Sequence, residues 1–189
     1  MTNNIEEMFE KTGAVLKGHF LLASGRHSSV YWEKFRILQH PNYVNRLCSL
    51  IADHFRGQGI DLVAGPTTGG VILAFEVARQ LSTRAIYAER AVTEGRTFRR
   101  GQTINPRERV LVVDDVLTAG GSIRDVITAV TDLRGDVVGV GVLVERSEKS
   151  IDFGAPLFSC LRTIAETYSP EVCPLCAAQL PLVKPGGGQ

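Results

Sequence analysis

Two adjacent carboxylates, Asp114 and Asp115, close the apolar run "VLVV" (110–113), and Thr118, Ala119, Gly120, Gly121 and Ser122 follow within a few residues. Neighbouring acids each raise the free energy of the other's ionised form, so the pair calls for a ligand. A bend of small residues that opens a helix offers backbone N–H groups and the positive end of the helix dipole to an anion. Thr118 and Ser122 add hydroxyl donors. The bend has no lysine, and G-x-x-x-x-G-K-[ST] is absent, which disfavours a P-loop NTPase. The acids suit vicinal hydroxyls, because each carboxylate oxygen can accept a short hydrogen bond from a sugar OH. The spacing therefore predicts a sugar-phosphate site, with phosphate in the bend and a diol on the acids. Taken alone, Asp115 reads more simply as a helix N-cap and Asp114 as a solvated strand end; the whole unit after a strand favours the ligand site.

Three more stretches carry groups that could bind ligand: "GPTTGG" (65–70), "ERAVTEGRTFRRG" (89–101) and "ERSEKS" (145–150). Their neighbours alternate between strand and helix patterns. Strands are expected at 60–65, 84–89, 108–115 and 136–146, each apolar almost throughout. A well-buried helix is expected at 69–81. Another is expected at 121–135, with Ile123, Val126, Ile127, Val130 and Leu133 on one face and Gly135 as C-cap. "PNYVNRLCSLIADHF" (41–55) reads as the first core helix and "MTNNIEEMFEKTGAVL" as an amphipathic helix entering a strand or turn. Continuous apolar strands separated by helices imply a parallel sheet covered on both faces, that is, a doubly wound α/β domain. Ligands of such sheets bind beyond the carboxyl ends of the strands, where all four stretches would converge.

Composition sets bounds. The 189 residues suit one domain, 44% are hydrophobic, and the formal net charge is +1. No global field draws nucleic acid or an acidic membrane, so any anion must be gripped locally. No apolar stretch approaches the roughly 20 residues of a membrane span. The polar N-terminus is unlike a signal peptide, and a cytoplasmic protein is the expectation. Cys48 and Cys160 read as interior hydrophobes. Cys173 and Cys176, in "CPLC", have knuckle spacing but supply half of a zinc ligand set. No second pair and no following histidine complete it. A plain turn with free or redox-labile thiols is expected; an intrachain zinc and a zinc shared between subunits remain open.

The segment "VLVVDDVLTAGGS" (110–122) resembles the phosphoribosyl-pyrophosphate (PRPP) signature of the type I phosphoribosyltransferases. "GHFLLASGRHSSVYWEK" (18–34), "GPTTGGVILA" (65–74), "LVERSE" (143–148) and "CPLC…PLVKPG" (173–186) are similar to the orotate-using branch of that family. The resemblance runs in order over nearly the whole chain. It implies a type I phosphoribosyltransferase-like, doubly wound, mostly parallel sheet with a small hood. Within one domain (1–189), residues 1–40 would supply the hood segment, 41–165 the α/β core and 166–189 the C-terminal tail. It also implies transfer of ribose 5-phosphate from PRPP to orotate with release of pyrophosphate, in pyrimidine biosynthesis, with Mg²⁺ and in a homodimer with shared sites. No residue is assigned as a direct metal ligand.

Carried over by position, PRPP would be bound by Arg90, Asp114, Asp115, Val116, Leu117, Thr118, Ala119, Gly120, Gly121 and Ser122, with Arg90, Asp114 and Asp115 catalytic. The turn at Thr67, Thr68 and Gly69 would take pyrophosphate. Orotate would meet Thr118, Arg146, Tyr31 and Trp32, although the two aromatics of a small hood could equally be core. Residues 89–101 would form a mobile catalytic loop, since their low apolar content gives core packing little to hold. The chain departs from better-known members at Ala23, Gly69 and Glu89-Arg90, where they carry lysines or an Arg-Lys pair, and its loop has no lysine or histidine. Arginines 90, 96, 99 and 100 could replace that charge. A phosphoribosyltransferase for another base and a PRPP-sensing regulator that binds nucleic acid are the alternatives. The net charge and the lack of an appended helix-turn-helix pattern weigh against the regulator.

Overall fold

The computed structural model describes residues 2–22, 24–147, 149–163 and 166–185; Ala23, one of the departures above, lies outside them. The chain opens with α1 (Thr2–Lys11), β1 (Val15–Leu21), β2 (His27–Trp32), α2 (Lys34–Leu38) and α3 (Pro41–Phe55). β3 (Leu62–Pro66), α4 (Gly69–Leu81), β4 (Arg84–Arg90) and β5 (Arg96–Phe98) follow. Then come β6 (Arg109–Leu117), α5 (Gly121–Asp132), β7 (Asp136–Glu145), β8 (Leu157–Arg162), β9 (Thr167–Tyr168) and α6 (Pro174–Ala177). The four expected strands and the three expected core helices are present within a few residues of their anticipated ends.

The main sheet runs β5-β4-β3-β6-β7-β8 and is parallel except for the β4–β5 hairpin. The order climbs one way from β3 through β4 and the other way from β6 through β8, so the topological switch point lies between β3 and β6. Alternate strand residues bury opposite faces. Val63, Leu111 and Val113 meet α3 and α4 in one apolar layer, while Leu62, Ala64, Val110 and Val112 meet α5 in the other. Close packing of α3 on the sheet depends on two glycines. A Cβ at Gly139 would lie 2.8 Å from Phe55 Cζ, and one at Gly141 would lie 2.5 Å from Ile51 Cγ2.

β1, β2 and β9 form a separate three-stranded antiparallel sheet, the hood, and Val183 of the tail bridges to Phe20. The hood therefore draws on both chain ends. α1 and α2, in contrast, pack on the main core through Ile5, Phe9, Ile37 and Leu38.

Three local expectations change. Helix α5 ends in a Schellman arrangement in which Arg134 (φ 62°), not Gly135, takes the left-handed position. Arg134 N–H donates to Thr131 O and Gly135 N–H to Val130 O. Gly135 is required one residue later by space, since its Cβ would lie 2.8 Å from Ile104. The predicted burial of α4 holds on one side only: Phe75 is 67% exposed and Ile72 40%. Finally, residues 89–101 are not a loop throughout. Ala88 pairs with Phe98, Glu89 with Thr97 and Arg90 with Arg96 in an ordered hairpin, and Phe98 packs on the core.

Candidate active site

The crevice follows from strand register. β3 and β6 pair from Leu62↔Val110 to Ala64↔Val112 and then part, while β6 stays paired with β7 as far as Leu117↔Glu145. Asp114 and Asp115 occupy β6 just beyond the point of parting. Both are buried. Asp114 accepts from the Asp115 N–H (2.8 Å) through Oδ1 and from Ser122 Oγ (2.8 Å) through Oδ2. Burial, then the Asp115 charge, push its carboxyl up to about 6, against the opposing pull of those two bonds and of Lys34. Asp115 Oδ1 accepts from Lys34 Nζ (2.9 Å) and from the Val116 N–H (2.7 Å). Its Oδ2 is buried with no hydrogen-bond partner among the described residues.

Two helix N-termini flank this pair. The turn Thr67–Gly69 opens α4, whose N-cap Thr68 makes no side-chain cap bond. The bend Thr118–Gly120 opens α5, whose N-cap Gly120 sits at φ 80°. First-turn N–H groups at both ends therefore lack capping side chains and can meet an anion. The first turn is compressed: a Cβ at Gly65 would lie 2.7 Å from Gly70 C, and one at Gly70 would lie 2.6 Å from Pro66 Cδ. In the second bend Thr118, Ala119 and Gly121 are exposed and Ser122 half-buried. Val116 and Leu117 offer backbone only. Leu117 lies in the core, Val116 packs against it, and Leu117 O already accepts from Arg146 N–H at 2.8 Å.

A cleft of about 890 Å³ runs from this bend to the hood, with Thr118, Ala119, Arg146, Tyr31 and Arg26 among its walls. Arg146 is half-buried; its Nε has no hydrogen-bond partner among the described residues, and burial lowers its proton affinity. Tyr31 is held above its usual range by burial first and the Glu33 charge second. Trp32 is not in the cleft. Successive strand residues face opposite ways, so it turns from Tyr31 to meet Phe9 edge-on, ring centroids 5.0 Å apart. Its expected place over a base is replaced by a place in the core.

On the other side of the turn, Arg96 Nη1 donates to Thr67 Oγ1 (3.2 Å) and Ala88 O (3.1 Å). Arg90 lies directly opposite Arg96 in the β4–β5 ladder and is exposed. Directly opposed like charges destabilise a strand pair. An anion held between them reverses that sign.

The phosphoribosyl transferase domain family matches residues 35–169. The orotate phosphoribosyltransferase of Caldanaerobacter subterraneus is 50% identical over 180 residues, 95% of this chain and 94% of that one. The chain belongs to the orotate phosphoribosyltransferases. The family member from Caldicellulosiruptor bescii is 49% identical over 181 residues, 95% of this chain and 94% of that one. The crystal structure of the orotate phosphoribosyltransferase from Aeropyrum pernix superposes with a TM-score of 0.72 at 30% identity, over 84% of this chain and 93% of that one. An adenine phosphoribosyltransferase from Thermoanaerobacter pseudethanolicus shares the fold, with a TM-score of 0.67 at 18% identity over 86% of this chain and all of that one.

Within this orotate phosphoribosyltransferase framework three polar residues join the site that the sequence did not single out. Lys34 was visible as the charge ending "VYWEK", but nothing local tied it to a carboxylate 81 residues away. Arg96 was one of four loop arginines, and only the hairpin register selects it. Arg26, in "SGRHS", donates to Thr167 O (2.6 Å) and Thr167 Oγ1 (2.8 Å), a contact made by the returning tail.

Proposed function

We propose that the protein transfers the 5-phosphoribosyl group of PRPP to orotate, giving orotidine 5′-monophosphate and pyrophosphate, the activity for which its relatives are named. One observation carries the residue assignment: a buried acid pair stands between two helix N-termini that lack capping side chains, beside a cleft with a half-buried arginine. PRPP has a diol between two phosphoryl ends, and orotate a carboxylate on a flat ring. The site offers a complement to each.

In this reading Asp114 and Asp115 accept from the ribose hydroxyls. The bend Thr118–Ser122 takes the 5-phosphate on backbone N–H groups and hydroxyls, with Val116 and Leu117 contributing backbone position. Thr67, Thr68 and Gly69 present N–H groups to pyrophosphate, and Arg90 and Arg96 neutralise it. Arg146 meets the orotate carboxylate or imide edge with its planar fork, Tyr31 lies against the ring, and Thr118 stands where base and phosphate adjoin. The reaction forms a C–N bond at ribose C1 and breaks a C–O bond as pyrophosphate leaves. C1 becomes cation-like on the way, so alignment and exclusion of water govern the rate.

Mg²⁺ suits the pair of acids, which offer hard oxygens including the unsatisfied Oδ2 of Asp115. Asp114 and Asp115 would hold it together with the substrate's own phosphates and waters, and the ion would supply charge neutralisation at the leaving group. The reading also includes a homodimer, supported by the exposed apolar face of α4. A cytoplasmic location is part of it too, since a polyphosphorylated substrate does not cross a bilayer unaided.

The deciding assay follows orotate consumption in its ultraviolet band with PRPP and Mg²⁺ together and with each omitted, beside a panel of purine and pyrimidine bases. Consumption only with the full set supports the reading. A purine used in preference to orotate, or no turnover with any base, overturns it.

A further inference from the structure

We propose that His19, His27, Cys173 and Cys176 form a structural zinc site that fastens the hood to the C-terminal segment. His19 and His27 come from β1 and β2, and Cys173 and Cys176 from the start of α6, more than 140 residues later. Their ligand atoms all lie within 4.8 Å of one another. A half-set of thiols in "CPLC" is thus completed by two histidines that precede it, and the expectation of a plain turn gives way.

Three of the ligand-atom separations match a tetrahedron around one ion. Bonds of about 2.3 Å to sulfur and about 2.0–2.1 Å to nitrogen place tetrahedral ligand atoms roughly 3.3–3.8 Å apart. Cys173 Sγ lies 3.6 Å from His19 Nε2, Cys176 Sγ 3.7 Å from the same atom, and Cys176 Sγ 3.3 Å from His27 Nδ1. The two nitrogens, His19 Nε2 and His27 Nδ1, are closer, at 2.9 Å. Both cysteines are thiols rather than disulfide partners. Three of the four residues are buried, whereas Cys176 is exposed and gives an ion a path in.

A hydrogen bond behind the first histidine orients its ring. His19 Nδ1 lies 2.8 Å from Leu180 O, and a carbonyl can only accept, so this nitrogen carries the proton. Nε2 is then the lone-pair nitrogen, turned into the cluster, and the ring is oriented as metal-binding histidines are. Without metal, His27 Nδ1–H donates to His19 Nε2. Binding moves that proton to His27 Nε2 and releases one proton from each thiol. The resulting site, two thiolates and two neutral imidazoles around a divalent ion, has no net charge. Two soft sulfurs with two imidazoles in a tetrahedron select zinc over Mg²⁺ or Ca²⁺.

The fold explains the need. The hood sheet is small, and β9 contributes two residues to it. Within that sheet His27 pairs with both Leu21 and Tyr168, so a metal there pins all three strands. Small units with little core gain stability from such staples. Leu21 and Arg26, which flank His19 and His27 in sequence, also line the large cleft.

The test needs no substrate. The full chain, purified under reducing conditions without chelator, is expected to carry one zinc per chain by elemental analysis. Replacement by Co²⁺ should give the intense visible bands of a tetrahedral thiolate site. Cys176→Ser, at the exposed position, and His27→Gln should each reduce bound zinc below about a tenth of an equivalent. Chelation should lower the melting temperature by roughly 5–10 °C, reversed by zinc alone. Zinc below a tenth of an equivalent in a chain that also fails to take up Co²⁺ overturns the site. So does an intact mass short of two hydrogens that marks a Cys173–Cys176 disulfide in the reduced preparation, or unchanged zinc content in both variants.

Discussion

Gly69 lies against the Asp115 carboxylate: a Cβ there would overlap Oδ2 and sit 2.9 Å from the carboxyl carbon. The absence of a side chain at the start of α4 is therefore what lets β6 place its second acid beside the α4 N-terminus. Gly69→Ala should displace Asp115 from the crevice. Overpacking of this kind costs about 1–3 kcal/mol, and the displaced acid should lower kcat/KM for PRPP by at least about tenfold. Steady-state kinetics with a melting curve check both. Wild-type kinetics in Gly69→Ala would show that the acid's position is immaterial.

Lys34 is the counter-charge of the same acid. Burial alone would lower the proton affinity of its amine, but the Asp115 and Asp114 charges raise it overall. Removing it leaves a buried carboxylate unpaired, and Lys34 is itself partly exposed, so Lys34→Ala should cost about 1–3 kcal/mol. The penalty should largely vanish when Asp115 is already Asn. A double-mutant cycle by denaturant melts measures this, with a coupling of at least about 1 kcal/mol expected. Additive losses would mean that the pair is incidental.

What the sequence revealed and what it concealed divide by range. Strands β3, β4, β6 and β7 were legible because apolar residues dominate each, and helices α3, α4 and α5 because their apolar residues recur at helical spacing. The bend at Thr118–Ser122 was legible because its small residues are contiguous. β8 was not, since the polar Ser159 interrupts "LFSCLR", and only the fold shows that it donates to the buried Glu145 carboxylate (3.1 Å). Trp32 was misplaced because two adjacent aromatics on a strand look alike until the pleat sends them to opposite faces. The histidine–cysteine cluster was invisible because only the folded hood brings β1, β2 and α6 together.

Arg90 and Arg96 face each other across the hairpin, and the Arg90 charge contributes to lowering the proton affinity of Arg96, behind burial as the main cause. On the proposed assignment, such a pair stores repulsion that a bound pyrophosphate would relieve. Arg90→Ala should leave the melting temperature unchanged or slightly higher while cutting kcat by about tenfold or more. Arg96→Ala should also raise the KM for PRPP, because the Thr67 Oγ1 contact is lost. Product inhibition by pyrophosphate should weaken in both. A fall in melting temperature with intact pyrophosphate inhibition in Arg90→Ala would assign the residue to the fold instead.

Phe75 stands 67% exposed beside a groove of about 400 Å³ lined by Leu38, Pro41, Val44, Val71 and Ile72. A large exposed apolar face marks an interface, and a second copy is the occupant that the dimeric reading requires. Phe75→Glu should shift the protein from dimer to monomer in sedimentation velocity at micromolar concentration. A dimer of unchanged strength would place the interface elsewhere.

Asp114 should show opposite effects on activity and stability. Its carboxyl is raised from 3.8 to about 6, so the folded state holds the proton that the unfolded chain has already lost between those pH values. Stability from this group is thus greatest below about pH 4 and declines as pH rises to about 6. At pH 7.5 the buried charge is a net cost, on the order of 1–3 kcal/mol. Asp114→Asn keeps the shape and an acceptor for the Asp115 N–H, so it should raise the melting temperature at pH 7.5. The same change removes a charge that the ribose hydroxyls need, and kcat/KM for PRPP should fall at least about tenfold. In the parent enzyme kcat/KM should decline below an apparent pKa near 6, a value that belongs to the pair. Asp115→Asn removes the neighbouring charge and should move that limb to lower pH. A less stable Asp114→Asn at pH 7.5, with the acid limb unmoved in Asp115→Asn, would refute the account of two charges crowded into the crevice for the sake of one ligand.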